Sequence, residues 1–184
     1  MQYRAALVTD LQLAKHRLTV PTTIDWTKKA NRKHFLDYLI KKFNISTMAE
    51  VGVRDGRTTF YLLDHNPELT IYAVDKSIQG FYNDTVKEKY QDRLIPIEAF
   101  SHIGSTYIED SSLDLVFIDA DHSYKWVKID IEHYIPKLKD SGWLTGHDID
   151  FPGVNQAVTE QLKDFDVGPN NVWIKRPSNV TSIL

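Results

Sequence analysis

The chain switches between two hydrophobic periods. Phe35, Leu36, Leu39, Ile40 and Phe43 recur at helical spacing, with Lys33, Asp37, Lys41 and Lys42 on the other side. This predicts an amphipathic helix after Trp26 that Asn44 stops. Apolar runs then predict strands from Thr47 to Val53, Thr70 to Asp75, Leu94 to Glu98, Leu113 to Asp119 and Trp143 to Asp148. Helices are expected from Thr58 to Leu63, closed by Pro67, from Phe81 to Tyr90, and from Val154 to Leu162. Another carries Tyr124, Val127, Ile131, Tyr134 and Leu138, and a turn at Ser141-Gly142 follows it. Phe165 to Val167 and Asn171 to Ile174 read as two strands joined by the short Gly168-Pro169-Asn170, hence antiparallel neighbours. Up to about Asp25 no period is clean. Ala5 to Val8 and Leu11 to Ala14 suggest a short helix that Pro21 ends.

Strands alternating with helices imply an α/β fold, with a mostly parallel sheet covered by helices on both faces. The expected architecture is a three-layer α/β/α sandwich whose seven-stranded sheet ends in antiparallel pairing. A length of 184 residues suits one domain, residues 1–184, with an irregular segment at 1–25 and a core at 26–178. Hydrophobic residues make up 42% and charged residues 26%, and the net charge of -3 provides no basic field for nucleic acid. The absence of cysteine excludes disulfides, thiolate metal sites and cysteine nucleophiles. No run has the length of a membrane helix, and Met1-Gln2-Tyr3-Arg4 does not open a signal peptide. A cytoplasmic protein without a membrane partner is the expectation.

In such sheets ligands bind outside the carboxyl ends of the strands. Glu50, Asp75, Glu98, Asp119 and Asp148 each fall at such an end, so five acids are expected around one crevice. Any one of them alone reads as a turn or cap carboxylate. Glu50-Val51-Gly52-Val53-Arg54-Asp55-Gly56 runs from strand through glycine turn to helix. Glycine admits positive φ and close approach of a ligand, and the helix start directs N–H groups at it. The spacing Glu-x-Gly-x-x-x-Gly is not the dinucleotide fingerprint, because Arg54 fills the middle glycine position.

These residues resemble the class I S-adenosylmethionine-dependent methyltransferases, whose fold is Rossmann-like, over roughly Phe35 to Pro177. The resemblance implies S-adenosyl-L-methionine as cofactor. Glu50, Gly52 and Gly56 would pack against its methionine part. Asp75 would hold the ribose hydroxyls, two acceptor oxygens for two donors. Ala99 and Phe100 would fall at the adenine pocket, although Phe100 could equally be core. Phe117-Ile118-Asp119-Ala120-Asp121-His122-Ser123-Tyr124 and Ser141 to Ile149 are similar to bacterial O-methyltransferases of sugars and natural products. They are more distantly similar to catechol and caffeoyl-coenzyme-A O-methyltransferases. In the catechol-type enzymes two acids and an asparagine hold a divalent cation. Asp119 and Asp148 match the acids, and Asp119 is also a cofactor-binding candidate. Ile149 replaces the asparagine, and Asp150, in an extended segment, would point away. Mg²⁺ binding is therefore expected to be weak or absent. The lysine that acts as base in part of that group is His122 here.

The catalytic candidates are thus His122, a general base suited to neutral pH, and Asp119. A histidine at the start of a helix, with Asp121 or Ser123 as cap, is the structural alternative. His147 could orient Asp148 or His122, or ligate a metal. His16, His34, His65, His102 and His133 read as surface positions, and Lys28, Lys29, Arg32 and Lys33 as a solvated helix face. The expected function is methyl transfer to a small acceptor, a hydroxyl of a sugar or natural product. A non-catalytic cofactor-binding or scaffold domain is the alternative, and an NAD-dependent oxidoreductase fits less well. The short loop Asp150-Phe151-Pro152-Gly153 leaves an acceptor pocket that a second subunit of a homodimer could complete.

Overall fold

Parallel strands of β-branched and aliphatic residues form the centre of the molecule. The computed structural model describes residues 31–180 and 183, so the helix expected before Pro21 and the cluster residues Lys28 and Lys29 lie outside the described residues. Helix α1 spans Arg32–Phe43, β1 Thr47–Val51, α2 Arg57–His65, β2 Thr70–Asp75, α3 Asp84–Tyr90 and β3 Leu94–Glu98. A short helix α4 covers Ser101–Gly104, followed by β4 Leu113–Ile118, α5 Tyr124–Tyr134 and β5 Leu138–Gly146. Helix α6 spans Pro152–Leu162, and strands β6 Asp166–Val167 and β7 Trp173–Lys175 follow.

The seven strands form one sheet in the order β3-β2-β1-β4-β5-β7-β6. The first five pair in parallel, and β7 runs antiparallel to both β5 and β6. Strand alternation sends residues to two cores. Met48, Ile71, Leu115, Phe117 and Trp143 pack with Phe35, Leu36, Leu39, Leu62 and Leu63 of α1 and α2. Ala49, Val51, Val74, Val116 and Ile118 face Val127, Ile131, Val154 and Val158 of α5 and α6. This is the expected three-layer sandwich. The order reverses between β1 and β4, which places a ligand crevice at their carboxyl ends.

Three expectations change. The turn at Ser141-Gly142 lies inside β5, where the register against β4 jumps from Leu113↔Leu138 to Leu115↔Trp143, so residues 139–142 bulge from the ladder. The first strand ends at Val51 because Gly52 takes φ +92. The fifth ends at Gly146, and Asp148 takes φ +58, so the segment reaching Asp150 is a turn, not extended backbone. Asn44 stops α1 as expected, in the left-handed conformation. Among the described residues no helix is long and apolar enough to cross a membrane.

Candidate active site

A cavity of about 860 Å³ opens at the carboxyl ends of β1, β2 and β4. Gly52 starts the turn that shapes it. Its N–H donates to the Val74 carbonyl at 2.8 Å. A Cβ on Gly52 would strike the Asp119 carbonyl and the Ala120 Cα. Its glycine character is therefore demanded by the packing of the turn against the end of β4, as well as by positive φ. Arg54 follows at φ +58. The amides of Val53 and Arg54 both donate to Asp75 Oδ2, at 2.9 and 2.8 Å, and Ser77 N–H donates to Oδ1 at 3.1 Å. Gly56 is not among the residues lining the cavity. It caps α2 at φ +76, with the Phe60 ring where its Cβ would be.

Four of the five strand-end acids line this cavity: Glu50, Asp75, Asp119 and Asp148. Glu98 does not, and its carboxylate accepts from Ile78 N–H instead. Glu50 is almost fully buried and accepts a hydrogen bond from the Thr59 hydroxyl. Burial pushes its carboxyl up to about 8, the Thr59 bond opposes this, and Asp119 and Asp75 add to the rise. At neutral pH it is mainly protonated.

The far end of the cavity brings together residues from three separate segments. His122 Nε2 lies 2.9 Å from Asp148 Oδ2. His147 Nδ1 lies 2.8 Å from Asp148 Oδ1 and 3.6 Å from Asp119 Oδ1. Arg32 Nε lies 3.1 Å from Asp119 Oδ2. Burial disfavours the His147 imidazolium, yet Asp119 and Asp148 more than offset it, and its pKa is raised. Asp121 Oδ1 accepts from Ser123 N–H at 2.7 Å, which turns the chain into α5. Ser123 is the cap residue of that helix, so His122 does not cap it.

Asp119, His122 and Asp148 each offer one ligand atom within 4.8 Å of the others, a spacing an ion could bridge. The details do not fit Mg²⁺. Ile149, in the asparagine position, is fully buried in the core. All four oxygens of the two carboxylates already face a nitrogen of Arg32, His147 or His122. Mg²⁺ demands a near-octahedral shell of oxygens, and Asp150, which could have supplied one, is exposed and outside the lining.

Ala99 and Phe100 both line the opposite end. Phe100 is 68% exposed, so it is a cavity wall and not core. Two residues read as surface positions belong to the site. His102 lines the cavity and stacks on Trp126 with ring centroids 5.4 Å apart, and Arg32 lines it from α1. His34, by contrast, caps α1, His65 and His133 are exposed, and His16 lies outside the described residues. Tyr124 lies outside the lining and donates to Glu160 at 2.6 Å. No periodic signal marks Arg32, Trp126 or His102, because each is placed by the fold.

Residues 49–149 match a family model described as a methyltransferase domain. No curated protein sequence matches the chain. Among solved structures, a Staphylococcus aureus protein provisionally named a caffeoyl-CoA O-methyltransferase matches with a TM-score of 0.66 at 16% identity, covering 82% of this chain and 85% of that one. CalS11, a TDP-rhamnose 3'-O-methyltransferase of calicheamicin biosynthesis, matches with a TM-score of 0.62 at 18% identity, covering 80% and 79%. The S-adenosylhomocysteine-bound methyltransferase PaMTH1 of Podospora anserina matches with a TM-score of 0.65 at 13% identity, covering 82% and 80%. At these identities the likeness establishes the fold. The family model spans more than half of the chain and carries the four strand-end acids that line the cavity, and on that basis the chain belongs to the methyltransferase family, whose members draw their methyl group from S-adenosylmethionine.

Proposed function

We propose that this protein, as a single domain, methylates a hydroxyl of a small acceptor, with His122 as the general base. The observation that carries the reading is the 2.9 Å contact between His122 Nε2 and Asp148 Oδ2 at the cavity wall. A carboxylate that accepts from Nε2–H fixes the tautomer and leaves Nδ1 as the ring's basic nitrogen.

The residues present fit S-adenosylmethionine. The volume of about 860 Å³ suits a ligand of that size. A carboxylate offers about four acceptor sites. Three at Asp75 are used by backbone amides, so the ribose hydroxyls would share Oδ2 with the turn and use the open site on Oδ1. Glu50 and Gly52 would border the methionine part. Ala99 and the exposed Phe100 ring supply an apolar wall for the base. The buried, unpartnered Nδ1 of His102 is a polar atom that a nucleobase edge could satisfy.

When bound, the cofactor supplies a methyl group on a sulfonium, and the C–S bonding pair stays on sulfur as the C–O bond forms. The chain's own work is alignment and one proton transfer. His122 Nδ1 takes the hydroxyl proton, and Asp148 stabilises the imidazolium that results. Asp119 holds Arg32 beside the same space. The likeness to CalS11 favours a sugar-like acceptor, and the catechol-type likeness a phenol.

Thermal stabilisation by S-adenosylhomocysteine, set against NAD, tests the cofactor. A micromolar ligand in hundredfold excess adds about 2.7 kcal/mol. Stabilisation by S-adenosylhomocysteine alone is expected. Stabilisation by NAD alone would reject the reading. Methyl transfer to a panel of sugars and catechols then separates an enzyme from a binding domain.

A further inference from the structure

Resting on the reading that methyl transfer occurs in this cavity, we propose that Arg32 is the resident cation of the Asp119–Asp148 pair. It does for the acceptor oxygen what a divalent ion does in the catechol-type relatives, and the enzyme works without one.

Arg32 Nε is 3.1 Å from Asp119 Oδ2, and the Asp119 side chain is only 11% exposed. A divalent ion on that carboxylate would face a guanidinium at close range, a repulsion that little water screens. The arginine is also anchored. Its own N–H donates to Asn170 Oδ1 at 3.1 Å, and Asn31 and His34 form a capping box around the same helix start. Two elements thus fix where Arg32 leaves the backbone. A guanidinium stays charged throughout the accessible pH range, as a metal ion does.

The other carboxylate is closed to a metal by its own partners. Asp148 holds His147 on one oxygen and His122 on the other. If His122 Nε2 bound an ion, it would leave Asp148 and the ring could no longer be poised as a base. Metal ligation and base catalysis therefore exclude each other at this residue. With Arg32 as the cation both roles are filled.

Arg32 also keeps donors for the acceptor. Its Nε is buried against Asp119 and makes no hydrogen bond among the described residues, so the acceptor would meet the terminal nitrogens of the guanidinium. The side chain is 38% exposed and lines the cavity. As the acceptor hydroxyl gives up its proton to His122, negative charge grows on its oxygen beside the guanidinium. A preorganised cation there lowers the barrier. The arginine lies on α1, outside the segment matched by the family model.

Mn²⁺ binding, followed by the loss of its free-ion electron paramagnetic resonance signal, tests this without any turnover. The wild type should not bind Mn²⁺ tighter than about 0.1 mM. Arg32→Met should bind it on the order of a hundredfold tighter, as a site of two uncompensated carboxylates would. Adding Asp119→Asn should abolish that gain. Arg32→Lys keeps the charge and should behave as the wild type. Should the methionine variant melt early, Arg32→Gln repeats the arm. Tight binding by the wild type, or no gain in either neutral variant, overturns the proposal. If S-adenosylhomocysteine binds but turnover requires an added divalent ion, the proposal fails while the methyl-transfer reading stands. If Arg32 controls Mn²⁺ binding but S-adenosylhomocysteine does not bind, the converse holds.

Discussion

Asp148 reaches His122 from a backbone conformation that few residues other than glycine adopt. It sits at φ +58, and its Oδ2 lies 2.9 Å from His122 Nε2. Such strain is retained where surrounding structure demands it and is typical of functional sites. Here the demand comes from Ile149, which turns into the core while Asp148 stays at the cavity. His122→Ala should cut turnover by about 10²–10⁴, the range for loss of a general base. Affinity for S-adenosylhomocysteine and melting temperature should change little, since the ring is 41% exposed and does not cap α5. Rate, affinity and melting measured on one preparation check this. Preserved turnover would move the base elsewhere.

Gly52 should be intolerant of any side chain. It combines φ +92 with the Asp119 carbonyl and Ala120 Cα where a Cβ would sit. Those obstacles are backbone and cannot rotate away. Gly52→Ala is expected to cost about 2 kcal/mol or more, read from urea unfolding, from positive φ together with the clash. A loss under about 0.5 kcal/mol, the range of surface substitutions, would show that the turn relaxes freely.

Glu50 makes stability fall with rising pH. Burial raises its folded value to about 8 from the ordinary 4.5. Between these values the folded chain binds a proton that the unfolded chain has released, so unfolding free energy falls as pH rises. The contribution is full below about 4.5 and lost through about 8, by up to about 1.4 kcal/mol per pH unit. Asp130, which burial pushes up to about 6, acts in the same direction. Glu50→Gln should flatten the profile of melting temperature between pH 5 and pH 8, within the window those two values define. An unchanged slope would mean that the carboxyl ionises freely in the fold.

Much of this molecule was legible from local pattern. Strands β2 and β3 match the apolar runs Thr70–Asp75 and Leu94–Glu98 to the residue. Ser141-Gly142 has turn chemistry but lies inside β5, in a bulge, which has no periodic signature. Helix α4 has four residues, too few to show a period. The site divides in the same way. Glu50, Asp75, Asp119, His122 and Asp148 stand at strand ends or just beyond them, where the chain itself announces a crevice. Arg32 and His102 enter it from helices, and only tertiary packing decides which face of a helix looks into a cavity. The basic run around Arg32 gave no sign that one of its members meets Asp119.

In the proposed function this cavity holds S-adenosylmethionine with Asp75 at its ribose. Calorimetric titration of S-adenosylhomocysteine into the wild type and Asp75→Ala tests it most directly. One micromolar site per chain is expected in the wild type. A loss of about a hundredfold is expected in the variant, because one open charge-assisted bond of about 1.5–3 kcal/mol and one shared with the turn disappear, and the Val53 and Arg54 amides lose their shared acceptor. Equal affinity in the two proteins, or no binding to the wild type, would contradict it.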